Sequence, residues 1–230
     1  MDLQIKMNKL LDNWQEVRKY KQFVRDGVLV SENWEKQHPK ILFLLKESHS
    51  GFNDISGPMN IHHGASKDFW FNVSRWKFAI YHLYKDKNSK LTLPKNDELD
   101  DFIDDIAYIN VKKLNEERTT SDDQDLMWYA SNDKEFLQKQ IELISPDIII
   151  CGGTFKFLRE IFNADEFENI ATLNISKNKN YSRSCFSFKK RIIIDYCHPH
   201  QQFYEGGAEA LFYELVELLT PLDIKKIIGH

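Results

Sequence analysis

Cysteine is scarce in this chain: three in 230 residues, Cys151, Cys185 and Cys197. They are too few and too scattered for a disulfide framework. No Cys-x-x-Cys pair occurs, which argues against a structural zinc or an iron–sulfur cluster, and neither a metal nor any other cofactor is expected. No apolar run approaches the roughly 18 residues that a membrane span needs. The N-terminal stretch is amphipathic, with interspersed charges and no signal-peptide core. These absences together predict a soluble, cytoplasmic protein with no membrane partner. No repeat of about 20–50 residues is visible, which excludes a solenoid, and without a heptad seam a monomer is expected.

Aromatic residues, by contrast, are plentiful: 16 Phe, 9 Tyr and 5 Trp within a hydrophobic fraction of 42%, ample for a packed core. The charged fraction of 29% comes without low-complexity tracts, against wholesale disorder. The length suits one domain, 1–230, with an N-terminal helical extension over 1–40 and an α/β core over 41–220. The net charge of −4 speaks against nucleic-acid binding, but charge is unevenly placed. Asp97–Asp105 is an acidic block and Lys177–Arg191 a basic strip. A local basic strip can serve DNA on a protein that is acidic overall.

Periodicity predicts the elements. Met7, Leu10, Leu11, Trp14 and Val17 fall at helical spacing, so a helix is expected from about Leu3 to Phe23. Ile41–Leu45 is a continuous apolar run, as in a strand covered on both faces. A long polar loop, Lys46–Ser66, precedes an aromatic-rich helix over Lys67–Tyr84. Further strands are expected at Ile106–Val111, Asp147–Cys151 and Arg191–Tyr196, with helices over Lys134–Ser145, Phe155–Phe162 and from Gly206-Gly207 to near Pro221. Strands alternating with helices imply a three-layer α/β/α sandwich with a mainly parallel central sheet of about four strands.

Ligands of such sheets bind beyond the carboxyl ends of the strands. The residues there are chemically dense: Lys46, Glu47, Ser48, His49 and Gly51, then Asn60, His62 and His63, after the first strand; Asn110, Lys112 and Lys113 after the second; Gly152-Gly153-Thr154 after the third; His198, Pro199 and His200 after the fourth. In this order the blocks ILFLLKESHSG (from Ile41), FW at Phe69-Trp70, IAYINVKK (from Ile106), SPDIIICGGTFKFL (from Ser145) and IIIDYCHPH (ending at His200) resemble those of the uracil-DNA glycosylase superfamily, closest to its mismatch-specific branches. His200 stands where the family has serine, and the glycine and proline usual in the first block are replaced.

The resemblance implies a DNA glycosylase. Glu47 would orient water or stabilise the sugar cation, and His198 would hydrogen-bond the departing base. Asn110 and His49 would contact the base, and Phe71 or Trp70 would stack on it once flipped out. Lys112, Lys113, Arg183, Lys189 and His200 would contact DNA, with Phe203 and Tyr204 as a wedge. The altered first block implies a damaged or modified base rather than strictly uracil. A bulky modified pyrimidine of phage DNA would suit the long loop, with antiviral defence as the role.

Blander assignments stand beside these. Glu47 can pair with Lys46, and Phe69, Trp70 and Trp76 can be core. Gly152-Gly153 can be a tight turn rather than a phosphate cradle, and the basic strip can be a solvated hairpin. The histidines of the long loop lack a carboxylate or cysteine at a familiar metal spacing. The replaced first-block residues also fit a catalytically silent DNA- or nucleotide-binding module.

Overall fold

The computed structural model describes residues 2–29, 34–48, 67–99, 106–114, 122–175, 182–200 and 206–229. Most of the loop 46–66, with His49, His62 and His63, lies outside the described residues. So do Phe203 and Tyr204, much of the acidic block and the start of the basic strip.

Seven strands form one mixed sheet in the order β1-β3-β2-β4-β7-β6-β5. They are β1 (Gly27–Val28), β2 (Ile41–Leu45), β3 (Ala107–Asn110), β4 (Ile148–Gly152), β5 (Glu168–Asn174), β6 (Ser182–Phe188) and β7 (Arg191–Tyr196). The expected parallel core of four strands is present as β3-β2-β4-β7. The sheet is larger than expected, because β1 adds antiparallel to β3, and β6 and β5 add antiparallel beyond β7.

The helices are α1 (Leu3–Arg18), α2 (Lys67–Lys85), α3 (Asp123–Asn132), α4 (Lys134–Ile144), α5 (Phe155–Ile161), α6 (Gly207–Leu219) and α7 (Ile224–Ile228). Side chains alternate across each parallel strand, as the pleat requires. Ile41, Phe43 and Leu45 of β2, with Ile148 and Ile150 of β4, pack beneath α2, α6 and α7. Leu42, Leu44, Ile149 and Cys151 pack on the other face with α1, α3, α4 and α5. Helices therefore cover both faces. Each fully buried Leu or Ile of these strands contributes about 1.5–3 kcal/mol, which is why the apolar runs hold the centre of the sheet.

Two boundaries differ from expectation for local reasons. The first helix stops at Arg18, where Lys19 turns left-handed (φ 55°). Phe23, expected at its end, instead bridges Leu114. The N-terminal segment, expected as a helical extension, also contributes to the core. Leu3, Met7, Leu11 and Trp14 enter the core of one face, and β1 is a sheet strand. The basic strip contributes β6 and a tight connection to β7, with Lys189 and Lys190 both at positive φ (48° and 61°), the backbone of a two-residue hairpin turn.

Candidate active site

The connection after β2 enters α2 on one face of the sheet, whereas that after β4 enters α5 on the other. Between β2 and β4 the chain thus departs in opposite directions. In open α/β sheets such a switch point opens a crevice beyond the strand ends. Lys46, Glu47 and Ser48 leave one side of it, and Gly152, Gly153 and Thr154 lie on the other. His198 follows β7, the next strand. The ends of β2 and β7, from which Glu47 and His198 follow, are therefore about two strand spacings apart, roughly 10 Å, with Gly152 at the end of β4 between them.

Gly152 makes this arrangement possible. A Cβ there would lie 2.8 Å from Leu45 Cδ2 and 3.5 Å from both His198 Cα and Pro199 Cδ. The next glycine answers the question of a phosphate cradle. Gly153 sits at φ 71°, and its N–H already donates to Cys151 O (2.9 Å) and Tyr196 O (2.8 Å). Thr154 Oγ1 donates to Leu44 O at 2.7 Å. The motif is a tight strand-to-helix turn, with the Gly153 N–H and the Thr154 hydroxyl engaged within the protein.

On one side of the crevice, Glu47 is buried, and its Oε2 lies 3.9 Å from Lys112 Nζ. Pairing between β2 and β3 continues past both strands, through Val111 N to Leu45 O and Lys112 N to Lys46 O, which brings these two side chains together. The Lys112 ammonium also donates to Asp125 Oδ2 (2.6 Å) and lies over the Tyr129 ring. Further out, half-exposed Lys46 lies 3.8 Å from Asp123, which also pairs with Lys156. The hydrogen bond from Lys156 holds the Asp123 carboxyl below its ordinary range, and the charges of Lys156 and Lys46 act in the same direction.

On the other side, His198 is partly exposed. Its Nδ1 accepts a hydrogen bond from the His200 backbone N–H at 3.1 Å. A neutral imidazole has one donor and one acceptor nitrogen, so the proton resides on Nε2. Phe69 lies 5.9 Å from the imidazole, ring to ring. Neighbouring Cys197 is no nucleophile: burial pushes its thiol pKa up to about 12, far from the thiolate that attack requires.

Several residues chosen from sequence have other surroundings. The Lys113 ammonium is fully buried and pairs with Asp26, so it has no surface from which to meet a phosphate. Asn110 is 2% exposed; its backbone N–H and its Nδ2 donate to Asp26 Oδ2 at 2.8 and 3.3 Å. Arg183 is at the crevice end of β6 but buried, with its guanidinium over the Tyr196 ring and 3.9 Å from Glu214. Lys189 is exposed and 3.2 Å from Glu166, in the hairpin turn at the opposite end of β7, about 20 Å away over six residues. Of the aromatics on α2, Trp70 packs edge-on against Phe69 and Tyr108. Phe71 lies beneath the Arg75 guanidinium. Phe69 is the ring beside His198. Exposed His200 stays at the crevice.

No protein-family model matches the chain, and no curated protein does. Sequence reasoning had passed over Lys156 and Asn72. Lys156 has a readable signal, a cation in the first turn of the helix that follows the switch strand. Asn72, whose Nδ2 donates to Pro199 O at 2.7 Å, stands three residues after Phe69, on the same face of α2. No helix among the described residues is long and apolar enough to cross a membrane.

Proposed function

We propose that the crevice between Glu47 and His198 hydrolyses the bond joining a base to its sugar in DNA, leaving an abasic site. The observation that carries this reading is the hydrogen bond that His198 Nδ1 accepts from the His200 N–H, which assigns the proton of the neutral ring to Nε2, on a partly exposed imidazole beside Gly152. As the carbon–nitrogen bond breaks, its electron pair moves to the base, and a positioned donor is worth most where negative charge develops. Glu47 orients water toward the sugar carbon and accepts its proton as the new carbon–oxygen bond forms. Lys112 anchors that carboxylate. The roughly 10 Å between the two strand ends accommodates a flipped nucleoside.

This reading makes the chain a divergent member of the uracil-DNA glycosylase superfamily, of α/β/α architecture. The replaced glycine and proline of the first block support a modified base as substrate; a bulky pyrimidine of phage DNA, excised in antiviral defence, is the substrate and role proposed. Lys46, Lys156 and His200 are the phosphate contacts at the crevice, in place of Lys113, Arg183 and Lys189. The test is incubation with oligonucleotides carrying uracil, deaminated purines and modified cytosines, followed by alkaline cleavage at abasic sites. Cleavage on at least one base that disappears in Glu47→Gln is expected; absence of product on every base overturns the reading.

The burial of Glu47 against Lys112 favours a second reading, a silent module that binds DNA without cutting it. It predicts DNA affinity unchanged by Glu47→Gln and no turnover to lose.

A further inference from the structure

The hydrogen bond that orients His198 is itself held from another element. Pro199 O and His200 N–H belong to one peptide unit. Asn72 Nδ2 donates to that carbonyl oxygen at 2.7 Å, while the N–H of the same peptide donates to His198 Nδ1 at 3.1 Å. Asn72 is buried, 5% exposed, on a helix that also buries Ser74 and Lys77. A buried amide costs stability unless its polar groups find partners, and this one finds them in a single direction.

The orientation of the amide is unambiguous. Arg75 has only donors and a carbonyl only accepts. Arg75 Nη1 lies 3.3 Å from Asn72 Oδ1, which leaves Nδ2 for Pro199. Arg75 is anchored in turn by Asn96 Oδ1, 3.1 Å from its Nη2. The line of donors runs Arg75, Asn72, peptide, His198. Each bond polarises the next: drawing electron density to the Pro199 oxygen makes the His200 N–H a stronger donor toward Nδ1.

We propose that Asn72 is a positioning residue that fixes His198 as the Nε2–H tautomer by clamping and polarising the Pro199–His200 peptide. The inference deepens the reading of the His198 site and rests on it for the consequence in turnover; the tautomer itself does not depend on the reaction. Without the clamp the peptide plane can rotate, the Nδ1 acceptor loses its partner, and the proton distributes over both nitrogens. One α-helical face thereby supports the imidazole twice: Phe69 against the ring, and Asn72 on the turn behind it.

Asn72→Asp is the sharpest test, because it keeps the shape and the contact with Arg75 while removing the donor. Nitrogen NMR of the imidazole in isotope-labelled full-length protein reports the tautomer directly. The wild type is expected to show a proton held on Nε2, and Asn72→Asp a mixture of both tautomers. Turnover on the best oligonucleotide substrate is expected to fall about tenfold, the scale of one lost hydrogen bond, with DNA affinity unchanged. A wild-type His198 protonated mainly on Nδ1, or an Asn72→Asp tautomer equal to the wild type, overturns the proposal whatever happens to turnover. If Asn72→Asp does not fold, Arg75→Met decides: a partial shift in the same direction is expected, and no shift overturns the proposal. A tautomer that shifts in a protein with no activity on any base leaves the clamp standing and removes the glycosylase reading.

Discussion

Two corners of the same sheet edge carry similar sequences and have opposite fates. β3 ends on Asn110 and runs into Lys112 and Lys113; β7 runs into Cys197, His198 and His200. The β3 corner is sealed around Asp26, which takes Asn110, Lys113 and Gln140 as partners in surroundings without water access. The β7 corner stays open, with a partly exposed imidazole whose Nδ1 accepts from the His200 N–H. The difference lies in the neighbours. β3 is capped by antiparallel β1 and the Asp26 segment leading into it, whereas β4 leaves the sheet on the opposite face from β2 and opens a space. A polar residue just past a strand is a site candidate only where the adjoining connections diverge.

The sealed corner can be broken most severely. Asp26→Ala leaves the Lys113 ammonium buried without its counter-ion, and desolvation already lowers the pKa of that ammonium against the pull of Asp26. A loss of about 3–5 kcal/mol of stability is expected, read as the shift of the urea midpoint. A loss within that of a surface substitution would mean the corner is not the closed network described. The open corner should behave in the reverse way. His198→Ala is expected to lower turnover by about 10²–10³-fold, as for removal of one preorganised donor, with the urea midpoint nearly unchanged. Equal loss of stability and turnover would make His198 a structural residue like Asn110.

Gly152→Ala probes the boundary between the corners. Its new methyl would meet Leu45, and overpacking of this kind costs about 1–3 kcal/mol. Turnover should fall with little change in DNA affinity, because the methyl lies under the reacting end rather than along the phosphates. The smallest effect concerns charge. Lys46→Ala and Lys156→Ala should each reduce the slope of DNA affinity against salt by about one ion, and Lys189→Ala should leave it unchanged. A salt slope that follows Lys189 would put DNA along the hairpin instead of over the crevice.

Much of the fold was readable because the buried strands are uninterrupted. Ile41–Leu45 and Arg191–Tyr196 form strands with the expected bounds, since each carries an unbroken buried apolar run, the whole of the first and Ile192–Ile194 in the second. β5 was missed because it has no buried position and its few apolar residues are scattered among polar ones; β6 was missed because serines and Arg183 interrupt its apolar residues, although Cys185 faces one core and Phe186 and Phe188 the other. β1, two residues long, exists only through β3. In the site, His198 was legible from a strand running directly into His-Pro. Asp26 was not, because its partners lie 84 to 114 residues away. The same distance hid the sealing of Lys113, which as a bare sequence is an ordinary surface lysine. Asn72 was hidden among the mixed polar and aromatic residues of α2, where a lone amide carries no pattern.

The sheet described here also has two ends, and each discourages another chain from continuing it. One border strand, β1, offers only two residues. The other, β5, is longer, but its pairing with β6 slips between Asn169 and Ala171, an irregularity that bends a strand and spoils its outer row of donors and acceptors. Without a straight outer rail of matching length, strand-by-strand polymerisation has nowhere to begin. The antiparallel pair beyond β7 therefore shields an otherwise very apolar sheet from edge-to-edge growth.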